Sequence, residues 1–520
     1  MVQPPARASA VTQALAVVLL AAVFLRAGFA PVAILDSWGD WKYGEWIWQN
    51  KRLPKHEPFS PYGDPKPELR DGSWLAEVTY YLVVARSGLE GVALLHALLE
   101  ATKAGLILLA VRRSTGSLGT AVAVTALVEA ACWPYFDAIR TQVPAEVCWA
   151  GLLLACSGRV PSRAAVVAAP AVVALWANLS PTFGFAFVLL GGLLLGRFLQ
   201  ETRARRRLTT AARDPAVVRL ALMLGLSVAA ACLNPYGKAH LSDAFGPDGL
   251  EVLAARQWPT LIPVHLWESR VLIVSVLVVL AALRLSPRPF TATEVLLAAT
   301  FAVWAWFDKR VAPWWLMLAP WLLAPHLQAM FDAARAGIGR EGEKETVRPS
   351  PSPSLLLSSS PYLLLCVAAV LVLLSPAARW AVGRPLSAEE RAPMAPSQLA
   401  ARVAGCGPGR RVFSLPYWWG DYLLWRLPPG DQVFWYSRPE GFMARGKDPG
   451  LDPAPDEWRA LVERNRFDTL VVRAESSEGL AAYLAEAPPG EWVVVEDTTS
   501  PDGPGGPAGR GLVVIRRTDP

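Results

Sequence analysis

Charge is scarce in this chain. Asp, Glu, Lys and Arg make up 18% of its 520 residues, where a soluble globular chain carries about 25%. Histidine (5) and cysteine (6) are scarcer still, and no Cys/His spacing suits zinc. Cys132, Cys148, Cys156, Cys232 and Cys366 lie in or beside apolar runs, where a thiol behaves as a small hydrophobe. Cys406 stands alone near the C-terminal end, so no disulfide framework is expected. No internal repeat is found, and the segment after 381 has no Gly-rich phosphate loop and no Ser-His-Asp set. The formal charge of +6 does not read as a nucleic-acid footprint, because the Lys and Arg sit mostly in short loops between apolar runs.

What the chain has instead is apolar length: 53% of it is hydrophobic. Crossing a hydrocarbon core of about 30 Å takes a helix of roughly 17–25 residues. Spans are expected at 11–35, 89–111 (after an approach helix at 74–87), 118–133, 143–157, 164–178, 182–199, 216–234, 269–284, 293–307, 311–329 and 360–380. The first is read as a retained helix, not a cleaved signal, because it is long and lacks a small-residue cleavage site. The expected fold is a polytopic α-helical membrane protein of about eleven transmembrane helices, residues 1–380, followed by a soluble α/β domain at 381–520. Trp38, Trp41, Trp46, Trp48, Trp304, Trp306, Trp314 and Trp315 lie where spans meet loops and read as an interfacial aromatic belt.

Basic residues orient the spans. With the N-terminus inside, Arg112, Arg113, Arg159, Arg163, the run Arg203, Arg205, Arg206, Arg207, then Arg284, Arg288 and a Gly/Ser/Pro-rich linker at 331–359 all fall on the cytoplasmic side. Loops 36–73, 134–142, 179–181, 235–268, 308–310 and everything after 381 then face out.

The outward segments carry the chemistry-bearing residues. Asp36 ends the first span, and Asp40 follows one helical turn later, on the same face. A carboxylate at membrane depth is costly and tends to mark function, here as a general base; as a helix cap it is also unremarkable. Glu77 begins the return to the bilayer. Arg140 and Gln142 lie between two spans, Asn178 and Asn234 end two others, and Lys309 and Arg310 follow Asp308. Arg140, Lys309 and Arg310 are candidate phosphate binders; the last two also suit simple pairing with Asp308. Asn234-Pro-Tyr-Gly237 is good turn chemistry in its own right.

Several segments in order resemble a known group. They are Asp36-x-Trp38 through Gly44, Leu53-Pro54 and Pro58-Phe-Ser60, then Trp74-Leu-Ala-Glu77, Arg140-x-Gln142, Leu175-Trp-Ala-Asn-Leu179, Leu233-Asn-Pro-Tyr-Gly237, and Arg411-Val-Phe with Trp419-Gly-Asp-Tyr-Leu-Leu-Trp-Arg-Leu427. Over about residues 10–440 the chain is similar to the GT-C superfold of membrane glycosyltransferases that use polyprenyl-phosphate-linked sugars, and to its poorly characterised bacterial subfamilies. The resemblance implies inverting transfer of a hexosyl or pentosyl group from the lipid carrier to a glycan, lipid or protein acceptor on the outer face of a bacterial plasma membrane. It implies that an acid of the first outer loop activates the acceptor: Asp36 fits best, Asp40 next, with Glu77 as a partner. No cofactor is implied beyond membrane lipid and the lipid-linked donor, and no metal ligands are assigned. Two departures stand out. Ser180 replaces the His that commonly follows Asn-Leu, and Tyr436-Ser-Arg438 replaces Asp-Gly-Arg. A non-catalytic scaffold on the same fold is the alternative. A lipid-linked-sugar transporter is the third reading, although it would favour inverted repeats.

In the segment after 381, strands are expected at Val412–Leu415, Gln432–Tyr436, Thr469–Arg473, Trp492–Glu496 and Leu512–Arg516, with helices at Asp456–Arg464 and Gly479–Glu486. It contains no His, which removes the usual general base and leaves an accessory role. Trp418, Trp419, Trp425, Arg438 and Glu440 are a candidate sugar- or membrane-facing patch, or core.

Overall fold

The computed structural model describes residues 9–32, 36–59, 70–136, 139–140, 142–158, 160–245, 267–308, 311–342, 361–393, 395, 397–415, 417–428, 430–434, 454–473, 478–488, 491–498 and 511–516. They form two compact units that interleave along the chain. One takes 1–30, 93–137 and 142–385; the other takes 31–92, 138–141 and 386–520.

The first unit is helical. It contains α1 (Ala10–Gly28), the C-terminal part of a long helix written below as α3, α4 (Leu118–Phe136), α5 (Val143–Cys156), α6 (Arg163–Leu179), α7 (Gly184–Arg205), the short α8 (Leu208–Ala212), α9 (Pro215–Ala231), α10 (Lys238–Phe245), α11 (Trp267–Leu285), α12 (Ala292–Phe307), α13 (Ala312–Gly342), α14 (Pro361–Leu373) and α15 (Pro376–Ala381). Caps explain many of the starts. Ser9 accepts from the Thr12 amide, Ser162 from Ala165, and Asp214 from Ala216 and Val217, while Thr291 and Glu294 close a capping box. Among the described residues, three helices are long and apolar enough to cross a membrane: Ala10–Gly28, Trp74–Thr115 and Pro181–Arg205. Six more, including α6, α9 and α12, are apolar but shorter.

Boundaries differ from expectation where backbone chemistry intervenes. The first span, expected to reach 35, stops at Gly28, shortly before Pro31, whose ring disfavours helix at the preceding residue. The last, expected over 360–380, breaks between α14 and α15, where Ser375 caps the new helix by accepting from the Ala378 amide and Pro376 takes its first position. The linker expected over 331–359 begins instead as helix, since α13 runs on to Gly342.

The second unit holds α2 (Asp36–Asn50) and the start of α3 (Trp74–Thr115). At Gly88, α3 kinks through φ 61°, a conformation that suits glycine, so the 74–87 approach helix and the following span are separate rods. Then come α16 (Ala388–Arg391), α17 (Ser397–Gly405), β1 (Arg411–Leu415), α18 (Tyr417–Arg426), β2 (Gln432–Val433), α19 (Pro455–Asn465), β3 (Thr469–Arg473), α20 (Glu478–Glu486), β4 (Trp492–Thr498) and β5 (Gly511–Arg516). The sheet order is β2-β1-β3-β5-β4, with β1 parallel to β2 and β3, and β5 antiparallel to β3 and β4. Phe413, Phe434, Trp458, Val462, Phe467 and Leu470 pack its core.

A buried ion pair ties this unit together across the sequence. The Arg391 Nη2 donates to Glu90 Oε2 at 2.5 Å and Nε to Oε1 at 3.1 Å, and the Leu386 amide donates to the same Oε1 at 2.8 Å. The Arg391 carbonyl accepts from Val32 N at 2.7 Å. One glutamate near the Gly88 kink thus fixes the segment before the sheet to the chain that leads into α2.

Many tryptophans expected in an interfacial belt are core. Trp38 and Trp41 are buried in the second unit, and Trp314 and Trp315 in the first. Trp314 stacks on Trp176 (5.3 Å) and meets Trp149 edge-on (5.7 Å). Trp48 and Trp306 are exposed, as a belt requires.

Candidate functional site

Asp36 is the first residue of α2, where the partial positive charge of a helix N-terminus favours a carboxylate. Asp40 lies one turn on, as the spacing predicts. The pair Ile139–Arg140 is laced against this region by three hydrogen bonds. The Ile139 amide donates to Pro31 O (3.0 Å), Ser37 Oγ donates to Ile139 O (3.3 Å) and Tyr80 Oη donates to Arg140 O (3.1 Å). Arg140 is thereby brought into electrostatic range of Asp36.

These neighbours pull Asp36 in opposite directions. Burial and then the Asp40 charge raise its pKa; its own backbone N–H and Arg140 lower it; the balance lies at about 6. A carboxyl poised there is ionised at neutral pH yet is a better proton acceptor than an ordinary aspartate. Asp40→Asn removes the second cause of the rise. The acid limb of any Asp36-dependent activity is therefore expected to move to lower pH, measured as the pH profile of kcat/KM. A limb that stays in place would remove Asp40 from the pair.

Glu77 is fully buried in the first turn of α3. A Cβ on Gly44 would lie 2.2 Å from its carbonyl oxygen, so α2 and α3 touch backbone to backbone there, two turns of α2 beyond Asp36. A further acid escaped the sequence reading. Asp421 of α18 is fully buried, and a Cβ on Gly39 would fall 2.1 Å from its Oδ1. The available signal was a glycine between Asp36 and Asp40 in an otherwise bulky helix, matched by Gly420-Asp421 in the distal aromatic motif. Beside it, Trp38 meets Tyr422 edge-on at 5.0 Å and Trp41 meets Trp425 at 6.0 Å, so Trp425 packs on α2.

Gln142, Asn178, Ser180 and Asn234 lie in the first unit. Asn178 Nδ2 donates to Leu233 O (2.9 Å), which joins the ends of α6 and α9. Asn234 Oδ1 accepts from Tyr236 N (2.8 Å), the turn its sequence predicts. Ser180 caps the 3-10 turn Pro181–Phe183 through Thr182. Gln142 is exposed and precedes α5 without capping it. Lys309 and Arg310, together with Arg438, Glu440 and the Tyr436–Arg438 departure, lie outside the described residues.

The first unit also contains a charge cluster that sequence reading passed over. Lys103 Nζ, fully buried, pairs with Glu100 Oε2 at 2.6 Å and Glu146 Oε2 at 3.0 Å. Glu129 on α4 lies within electrostatic reach of Lys103, and Arg26 within reach of Glu129. Among the described residues no group of three or more His, Cys, Asp or Glu side chains is arranged to hold a metal ion.

No family model matches the sequence, and no curated protein matches it. Solved structures do match, and what they show is the fold, which this chain shares with the GT-C transferases among them. ArnT from Cupriavidus metallidurans, crystallised with undecaprenyl phosphate, superposes with a TM-score of 0.52 at 14% identity, over 96% of this chain and 97% of that one. The apo oligosaccharyltransferase of Archaeoglobus fulgidus gives 0.52 at 13% identity, over 89% and 69%. The same enzyme tethered to an acceptor peptide with an NVT sequon gives 0.50 at 12% identity, over 89% and 69%. By length and composition, the long apolar helices of this chain suit a membrane-embedded protein.

Proposed function

We propose that this chain is an integral membrane glycosyltransferase that moves a sugar from a polyprenyl-phosphate carrier to an acceptor on the outer face of a bacterial plasma membrane. The observation that carries the reading is Asp36, a carboxyl with its pKa raised to about 6 at the entrance of α2, flanked by Asp40 and approached by Arg140. In the reaction the ionised Asp36 takes the proton of the acceptor nucleophile. The nucleophile's electron pair attacks the anomeric carbon, the bond from that carbon to the phosphate oxygen breaks, and the lipid phosphate leaves with the bonding pair, inverting the centre. Arg140 supplies positive charge where the phosphate's negative charge grows. The undecaprenyl phosphate held by ArnT and the acceptor peptide of the oligosaccharyltransferase support the donor and acceptor classes.

The test is turnover in proteoliposomes supplied with a panel of polyprenyl-phosphate hexoses and pentoses, together with a panel of glycan, lipid and peptide acceptors. Sugar-dependent release of polyprenyl phosphate is the expected result. Labelled lipid crossing the bilayer with its sugar intact would favour a transporter. Neither release nor transport by a folded protein would leave the scaffold reading.

A further inference from the structure

The arginines that orient the helices gather at one end of the first unit. Arg203, Arg206 and Arg207 leave the end of α7, and Arg213 stands between α8 and α9. Arg163 opens α6 at the same end, because Arg219 of α9 donates to Pro161 O at 2.6 Å. A Cβ on Gly158 would lie 3.8 Å from the Arg113 side chain, which brings the end of α3 to the same place. Arg113, Arg163, Arg203, Arg206, Arg207 and Arg213 are exposed, and Arg219 is half-buried.

The carboxylates near α7 and α9 are already engaged. Glu201 pairs with Arg197 at 2.8 Å and with Arg205 at 2.8 Å, and Asp214 with Arg205 at 3.0 Å. Arg203, Arg206, Arg207 and Arg213 have no ion pair among the described residues, so the corner carries an uncompensated positive charge. Leu208, 62% exposed, stands directly after Arg207 at the start of α8. Arginines around an exposed leucine, at the ends of helices that cross a bilayer, match the interfacial layer in composition: guanidinium forks for phosphate and an apolar side chain for the acyl boundary. None of the four is a lysine, and the planar guanidinium alone takes a phosphodiester through two parallel hydrogen bonds.

We propose that the α7–α8–α9 corner is a binding site for anionic phospholipid headgroups, with Arg203, Arg206, Arg207 and Arg213 on the phosphate and Leu208 inserted beside it. The site is independent of the transferase reading, since it shares no residue with the Asp36 region.

The experiment compares full-length protein in detergent with and without added phosphatidylglycerol, phosphatidylcholine or inorganic phosphate. Thermal unfolding and the lipids retained in native mass spectra are the readouts. The parent is expected to gain several degrees and to retain phosphatidylglycerol, to show neither effect with phosphatidylcholine, and to lose the gain at high salt. Arg206→Gln/Arg207→Gln should abolish most of the gain while leaving the lipid-free melting point in place, and Arg206→Lys/Arg207→Lys should recover only part of it. The proposal is overturned if phosphatidylglycerol stabilises the Gln variant as much as the parent, or if inorganic phosphate alone reproduces the effect. Should the double variant fold poorly, Arg203→Gln and Arg213→Gln singly carry the same comparison.

Discussion

Asp36→Asn is expected to leave a folded, membrane-inserted protein whose sugar transfer falls by about 10²–10⁴-fold, the range a positioned general base contributes. Folding should survive because of the sign of the pKa shift. Burial and Asp40 raise the Asp36 pKa from 3.8 to about 6, so the folded chain holds that proton more tightly than the unfolded chain does. The stability this supplies is full below 3.8, falls as pH rises toward about 6, and is absent at neutral pH, where the ionised group is a net cost. Asparagine keeps the size and removes the cost. The parent's kcat/KM should rise with pH up to about 6 and then level off, because only the ionised carboxyl accepts the acceptor's proton. The variant's residual rate should lack that limb. Transfer at the parent rate in Asp36→Asn, or an acid limb that persists in it, would assign the base elsewhere.

Local periodicity made much of the architecture legible in advance. Apolar runs placed helices at each expected span, Asp36 and Asp40 fell on a helix with the predicted spacing, and strands occupy 411–415, 469–473, 492–498 and 511–516, close to the runs of alternating and β-branched residues. The strand expected over Gln432–Tyr436 is described only at Gln432–Val433. What escaped was pairing between distant positions. Glu90 and Arg391 are 301 residues apart and neither is unusual in its own neighbourhood. Asp421 reads as one acid in an aromatic motif until α18 is seen against Gly39. The environment of Asp36 depends on a two-residue stretch, Ile139–Arg140, that has no regular structure and is positioned by Ser37, Tyr80 and Pro31. The tryptophans misled for a related reason. A ring beside a loop in sequence faces either the membrane interface or the protein interior, and only packing decides which.

Lys103 gives the other large expected effect, one set by physics more than by chemistry. Its ammonium is fully buried and lies between Glu100 (2.6 Å) and Glu146 (3.0 Å), which are themselves 1% and 5% exposed. Glu129, 6% exposed, accepts no hydrogen bond among the described residues and depends on the same positive centre, with Arg26 as the second. Charge at this depth persists only when paired. Lys103→Met keeps most of the volume but strands the carboxylates of α3 and α5, and breaking a buried pair from one side costs about 3–5 kcal/mol. The thermal midpoint, followed by the fluorescence of the 22 tryptophans, should drop sharply. The triple variant Lys103→Met/Glu100→Gln/Glu146→Gln should recover most of the loss, because it removes the stranded charges along with their partner. A Lys103→Met protein that melts like the parent would show that these carboxylates do not depend on the ammonium. A triple variant no better than the single one would point to lost packing around the lysine stem, not to stranded charge.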